Sequence, residues 1–221
     1  CTTSYIAFID DDAIPSANWV RNIISTFRSE QNSCSAVGGN IKPLWLAPRP
    51  KWLPDDLLPY LSLLDLGADK ILLSGDDNLY GTNMAFRTSV IKKLGGFNIE
   101  LGRKAGILLS NEEADLQMRL RDNNYQVVYS PDIIVHHRIP ASRTSKAWFY
   151  NRIYWQGISD FILENKDRDL ALLLNDRRLS RTCPDSFINN KFVNEDDPYQ
   201  FSQQCGMLYN KTRNFLDSTF I

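Results

Sequence analysis

The stretch Tyr5-Ile-Ala-Phe-Ile-Asp-Asp-Asp12 decides how this chain is read. Residues 4–9 are apolar, aromatic and β-branched, a run of the kind that forms a short, fully buried strand, and three acids cut it off. In an open α/β sheet, ligands gather beyond the carboxyl ends of the strands, which is where Asp10, Asp11 and Asp12 fall. Carboxylates one residue apart can aim at one hard cation and at a ribose or phosphate beside it. The plainer alternative is a solvated acidic turn with Asp12 capping the helix that follows, because a DxD by itself is common and weak. Receiver domains and some phosphohydrolases also place acids at strand ends. The phosphohydrolase pattern expects Thr or Val two residues after the second Asp, and here Ile14 is followed by Pro15.

Outward from that stretch, Trp19 to Phe27 has helical spacing through Trp19, Ile23, Ile24 and Phe27. Ala36-Val-Gly-Gly-Asn-Ile41 reads as a second strand whose glycines admit another backbone or a ligand. Leu79 to Phe86 reads as a strand kinked at Gly81, followed by a short helix from Thr88 and a turn at Gly95-Gly96. Glu112 to Asn123 is a helix with Leu116 and Leu120 on one face and Arg119 and Arg121 turned outward. Gln126–Tyr129 and Ile133–His136 are neighbouring strands separated by Ser130-Pro-Asp132, and residues 146–165 form an amphipathic helix rich in aromatics. Strands and helices alternate, so the fold class is α/β.

Between Pro43 and Asp69 the texture changes: five prolines, with Trp45 and Trp52, sit among leucines and fit no regular element. Long loops of this kind are usually functional or ordered on binding. Trp45 and Trp52 are most simply loop anchors in the core; aromatic faces also suit sugar rings, which gives both an acceptor-binding reading. Beyond about Lys166 the signal fades. Leu170 to Leu174 could extend the helical region, Arg177 to Asp197 is polar and interrupted by Pro184, and 199–221 carries a weak helical pattern. The expected division is a main domain over 1–165 and a poorly ordered or helical extension over 166–221.

At 221 residues the chain suits one sizeable domain, or one with an extension. A net charge of -1 excludes any global attraction to nucleic acid. Four distant cysteines form no zinc spacing and no disulfide framework, so a reducing, cytoplasmic setting is expected. No apolar run approaches the roughly 20 residues that span a bilayer, and no signal peptide opens the sequence. Peripheral association with the inner face of a membrane is compatible with this composition.

Ser110-Asn-Glu-Glu113 opens the helix over 112–123. Its structural reading is a capping box, with Ser110 as N-cap and Glu113 at the third position. Its functional reading uses the same geometry: a carboxylate at a helix N-terminus is held ionised by the dipole and can take a proton from a hydroxyl.

Four blocks in order resemble the family 2 glycosyltransferases, inverting enzymes with a GT-A fold. They are Phe8-Ile-Asp-Asp-Asp12, Gly81-Thr-Asn-Met-Ala-Phe-Arg87 leading to Gly95-Gly-Phe97, Glu112-Glu-Ala-Asp-Leu-Gln-Met-Arg-Leu120, and Tyr129-Ser-Pro-Asp-Ile-Ile-Val-His-His137. The resemblance implies Mg²⁺ or Mn²⁺ at Asp10, Asp12 and His137, with Asp11 beside them on the donor. It implies Glu113, or Glu112 before it, as the base, with Glu113 standing where the family usually has Asp. It places Gly81 and Asn83 along the donor sugar, and it implies a metal-dependent hexosyltransferase using a UDP- or GDP-sugar on a glycan or lipid-linked acceptor, in polysaccharide or cell-surface glycan synthesis. His136 points away from His137 on a strand and is read as a packed or exposed strand residue.

Family members carry a nucleotide-binding half ahead of the DxD, whereas the resemblance here begins near residue 4 and ends near 140. The expectation is therefore a partial GT-A fold with a C-terminal helical extension, a piece of a longer protein. Two rivals stand beside it. A sugar-nucleotide nucleotidyltransferase would release pyrophosphate and has no use for a base at Glu112/Glu113. A non-catalytic carbohydrate-binding or assembly module would bind glycans through Trp45 and Trp52 with no metal requirement.

Overall fold

Six strands form one mixed sheet: β1 (Tyr5–Phe8), β2 (Ala13–Pro15), β3 (Cys34–Trp45), β4 (Ile71–Leu72), β5 (Met84–Arg87) and β6 (Gln126–Ile139). This is a computed structural model, describing residues 1–30, 33–103, 107–165, 182–188 and 197–220. The sheet order is β1-β5-β3-β6-β2, with β4 pairing β6 off this path. β3 and β6 run parallel from Cys34↔Gln126 to Trp45↔Ile139, and the other pairings are antiparallel. The α/β class read from the alternating periodicities holds. The chain divides into two units: Cys1–Leu46, Leu61–Asn98 and Glu112–Ile139 make the first, and Ala47–Tyr60, Ile99–Asn111 and Pro140–Ile221 the second.

In the first unit, helix α1 (Trp19–Ser29) buries Trp19, Ile23 and Phe27 of the stripe its spacing predicts, with Ile24 half-buried. Helix α2 (Thr88–Lys93) follows β5, and α3 (Glu112–Asp122) buries Leu116 and Leu120. Each such Leu or Phe contributes about 1.5–3 kcal/mol on burial.

Several expectations are corrected. The run at 4–9 is an edge strand, not a buried one: β1 has β5 as its strand partner, and Ile9 is 37% exposed. The two strands expected at 126–129 and 133–136 are one continuous strand. Pro131 is tolerated because the ladder opens there: Gly39 pairs Ser130 and Ile41 pairs Val135, so four β6 residues face Asn40. The kinked strand at Gly81 is a 3₁₀ turn, Gly81–Asn83, feeding β5. The proline-rich loop is partly regular, since β3 runs on to Trp45 and a 3₁₀ helix spans Asp55–Leu61. Arg119 is not turned outward. It pairs with buried Asp115 at 2.8 Å and donates to the carbonyls of Leu94 and Gly96, clasping a turn whose glycines sit at φ 80° and 76°. Arg121 likewise donates to Asp77 O and Asn78 Oδ1.

The open rung beside Gly39 leaves no room for a side chain. A Cβ there would meet Ser130 O at 2.1 Å and Ile133 O at 2.4 Å, both backbone atoms that cannot swing aside. Gly39→Ala is expected to destabilise the first unit by about 3 kcal/mol or more. A denaturant melt of the variant indistinguishable from wild type contradicts this.

In the second unit, α4 (Lys146–Glu164) is capped by Ser145, whose hydroxyl accepts from Trp148 N, and it packs on α5 (Pro198–Phe220). The two helices pack tightly at Gly157, where a Cβ would meet Thr212 Cγ2 at 3.1 Å. The weak pattern at 199–221 is thus a 23-residue helix, one face of which buries Phe201, Leu208, Thr212 and Leu216. The expected helix at Leu170–Leu174 lies outside the described residues, as does most of Arg177–Asp197. All four cysteines are free, and burial pushes the thiols of Cys34 and Cys183 up to about 11. No helix among the described residues is long and apolar enough to cross a membrane.

Candidate functional site

The acids that follow β1 turn back at once: Ala13 N donates to Asp10 O, and β2 then pairs with β6 so that Ala13 lies opposite His137. Arg138 N donates to Asp12 O across the same pairing. This register carries Asp12 to His137, whose Nε2 lies 3.1 Å from Asp12 Oδ1. One ligand atom each from Asp10, Asp12 and His137 lies within 4.8 Å of the others. The group is graded from exposed Asp10 through half-buried Asp12 to His137, which is 2% exposed.

His137 Nδ1 is 2.9 Å from Leu61 O. A carbonyl only accepts, so Nδ1 carries hydrogen and Nε2 is the nitrogen turned toward the carboxylates. Fixing the tautomer from the far nitrogen is how metal-ligating histidines are oriented. Two carboxylates and one imidazole are donors that Mn²⁺ accepts well, whereas Mg²⁺ prefers an all-oxygen shell. His136, by contrast, is half-buried opposite Ile14. Asp11 is exposed, and its carboxylate makes no hydrogen bond among the described residues.

The turn Gly81–Asn83 touches three parts of the first unit in consecutive residues. Gly81 N donates to Glu113 Oε1 at 3.2 Å. Thr82 Oγ1 donates to Asp10 Oδ2 at 2.7 Å. Asn83 accepts from Trp19 Nε1 at 2.8 Å and gives its two amide hydrogens to Asn40 O and Ile133 O. Asn83 therefore plugs the open rung between β3 and β6. It is 1% exposed, and both of its amide hydrogens are used within the sheet.

Glu112 and Glu113 occupy the first turn of α3, where the helix dipole favours carboxylates. The capping box does not form. Ser110 Oγ lies 3.3 Å from Gln156 Oε1 and 3.5 Å from Arg152, and Asn111, at φ 83°, gives its amide to Asp160 at 2.8 Å. Glu113 instead reaches Gly81, and its other oxygen, Oε2, is buried with no hydrogen-bond partner among the described residues. A Cβ on Gly81 would sit 3.3 Å from Glu113 Oε1, so the glycine permits this approach. Of the two glutamates, Glu113 is the one tied to the turn that also holds Asp10.

The tryptophans part company. Trp45 is half-buried at the end of β3 in the first unit. Trp52 belongs to the second, edge-on to Phe149 and Phe201 with Lys146 Nζ 5.7 Å over its ring. That packing anchors one side of the half-buried Trp52 ring against the second unit's aromatic cluster, in line with the simpler of its two readings. Sequence reasoning missed Thr82 and Gln117. Gln117 had one available signal, a polar residue one turn after Glu113 on the face that carries Leu116 and Leu120.

No family model matches the chain. It is 27% identical over 164 residues to a glucosyl-dolichyl phosphate glucuronosyltransferase of Haloferax volcanii, covering 74% of this chain and 52% of that one. It is 26% identical over 157 residues to the succinoglycan biosynthesis protein ExoM of Rhizobium meliloti, covering 71% and 47%. Among solved structures, a mannosyltransferase of Pyrobaculum calidifontis in complex with GDP-Man and Mn²⁺ aligns over 100% of this chain and 52% of its own, at 14% identity and a TM-score of 0.46. The chain spans about half the length of the curated relatives it matches. The resemblance to glycosyltransferases is thus met by relatives named for glycosyl transfer and glycan synthesis.

Proposed function

We propose that this chain is the metal-binding and catalytic half of a GT-A glycosyltransferase that moves a sugar from a nucleoside-diphosphate donor to an acceptor hydroxyl with inversion. One observation carries the reading: a single three-residue turn holds both a member of the Asp10/Asp12/His137 group and the carboxylate of Glu113. In this reading Glu113 Oε2 takes the acceptor's proton while Oε1 stays on Gly81 N. The freed oxygen attacks the anomeric carbon from the face opposite the diphosphate, the glycosidic bond to the diphosphate breaks, and its electron pair leaves with that group. Thr82 holds Asp10, and Leu61 O holds the His137 ring, so both ligands are oriented before a cation arrives. Bound there, Mn²⁺ or Mg²⁺ would supply neutralisation of the departing diphosphate.

The relatives' names favour glycan or lipid-linked acceptors, and we place the reaction at the cytoplasmic face of a membrane where such acceptors are built. Calorimetric titration of UDP and GDP into this chain and into the full-length protein, each with and without Mn²⁺, tests the reading. The expected result is Mn²⁺-dependent nucleotide binding by the full-length protein. Metal-independent glycan binding with no nucleotide uptake would support the carbohydrate-binding module. Release of pyrophosphate during turnover would support the nucleotidyltransferase.

A further inference from the structure

The geometry points to Gln117 as the positioning residue of the base, an inference that rests on the role given to Glu113 above. Gln117 is 0% exposed and lies one turn after Glu113 on α3. Its amide is spent on one backbone residue: Oε1 accepts from Leu79 N at 2.8 Å, and Nε2 donates to Leu79 O at 2.9 Å. The second amide hydrogen goes to Glu113 O at 3.0 Å. The side chain thus imitates the peptide of a neighbouring strand, pairing α3 to the segment that enters the Gly81–Asn83 turn.

Two residues further on, Gly81 N meets Glu113 Oε1 at 3.2 Å. The two contacts are successive rungs between the same two pieces of chain, and they differ in strength. The Gly81 rung is one long hydrogen bond to a side chain with three rotatable bonds, too little to hold a carboxylate plane. The Gln117 rung is a paired amide contact in a site closed to water, where an unpaired Leu79 N–H or C=O is strongly disfavoured. Gln117 therefore sets where Gly81 N lies, and Gly81 N sets which oxygen of Glu113 stays occupied. Oε2 is left as the oxygen with no hydrogen-bond partner among the described residues.

A purely structural Gln117 would satisfy Leu79 and nothing more. The two roles separate in a double-mutant cycle on the full-length protein with Gln117→Met, Glu113→Gln and both together. The probes are UDP-glucose and GDP-mannose with Mn²⁺, water serves as acceptor, and released nucleoside diphosphate is measured. Gln117→Met is expected to lower kcat by about 10- to 100-fold. Donor KM should stay within about twofold, and in the Glu113→Gln background the same change should alter kcat by less than about twofold. An equal loss in both backgrounds, or no loss in either, overturns the proposal.

Hydrogen exchange supplies a readout independent of turnover. The Gly81 amide, which Gln117 does not touch, should lose at least about tenfold of its protection in Gln117→Met while β3 and β6 keep theirs. Unchanged Gly81 protection overturns the proposal. If the methionine variant unfolds, Gln117→Glu keeps the shape while exchanging the amide donors for a carboxyl group, and its Gly81 protection is read in the same way. A Glu113→Gln protein with wild-type kcat sinks the base assignment itself; a crippled Glu113→Gln beside a fully active Gln117→Met sinks this inference alone.

Discussion

Replacing Glu113 with Gln is expected to lower kcat by about 10²- to 10⁴-fold, the usual contribution of a positioned general base, the role proposed for it above. The melting curve, and the Mn²⁺-dependent nucleotide binding proposed above, should not change. Gln is isosteric and keeps an oxygen for Gly81 N, so the turn and the first rung of α3 are preserved. What disappears is the second carboxylate oxygen, the buried Oε2 that has no hydrogen-bond partner among the described residues. Glu112 sits in the same dipole field but is not the residue tied to Gly81, so Glu112→Gln should change kcat by no more than a few-fold, roughly the effect of an altered first-turn charge. Steady-state turnover of the two variants side by side decides the matter. A large loss at Glu112 with none at Glu113 would move the base by one residue and undo the geometric assignment.

Asp12→Ala should abolish metal-dependent turnover, a fall of about 10³-fold or more given the several kcal/mol a cation contributes at a departing diphosphate. It should remove Mn²⁺-dependent nucleotide binding from the calorimeter as well. Asp12 is a cleaner choice than His137, which is 2% exposed and hydrogen-bonded to Leu61 O, so that removing it would also disturb the core. The backbone bond from Arg138 N to Asp12 O and the β2–β6 pairing do not involve the side chain, so Asp12→Ala removes the carboxylate with its contact to His137 Nε2 and leaves that pairing in place. The melting temperature should therefore shift little. Activity that survives Asp12→Ala with its metal dependence intact means the cation sits elsewhere.

How much of this was legible beforehand follows from how local each signal is. The helical stripe of Trp19, Ile23 and Phe27 and the Leu116/Leu120 face depend on neighbours a turn away, and they stand as read. Asp10, Asp12 and His137 were named together by resemblance, and the structure does gather them, through a β2–β6 register that no periodicity encodes. The three partners of Asn83, on Trp19, Asn40 and Ile133, lie in other elements, so no local pattern announces that its amide is engaged in the sheet. Ser110 was misread because its hydroxyl lies against Arg152 and Gln156, across a long gap in sequence, in place of the helix it precedes. Pro131 broke one strand into two on paper, since nothing local announces a ladder already open at that rung.

The parallel pairing of β3 with β6 has a bearing on how the protein comes into being. Cys34 waits for Gln126, and Ala13 waits for His137, so the sheet's centre closes only after most of the sheet-forming sequence has left the ribosome. Contacts of such high sequence separation must meet the loop-closure entropy first, and chains built on them fold slowly. While synthesis is under way, Asp10 and Asp12 have no histidine beside them. The Asp10/Asp12/His137 group is therefore completed only in the same event as the fold.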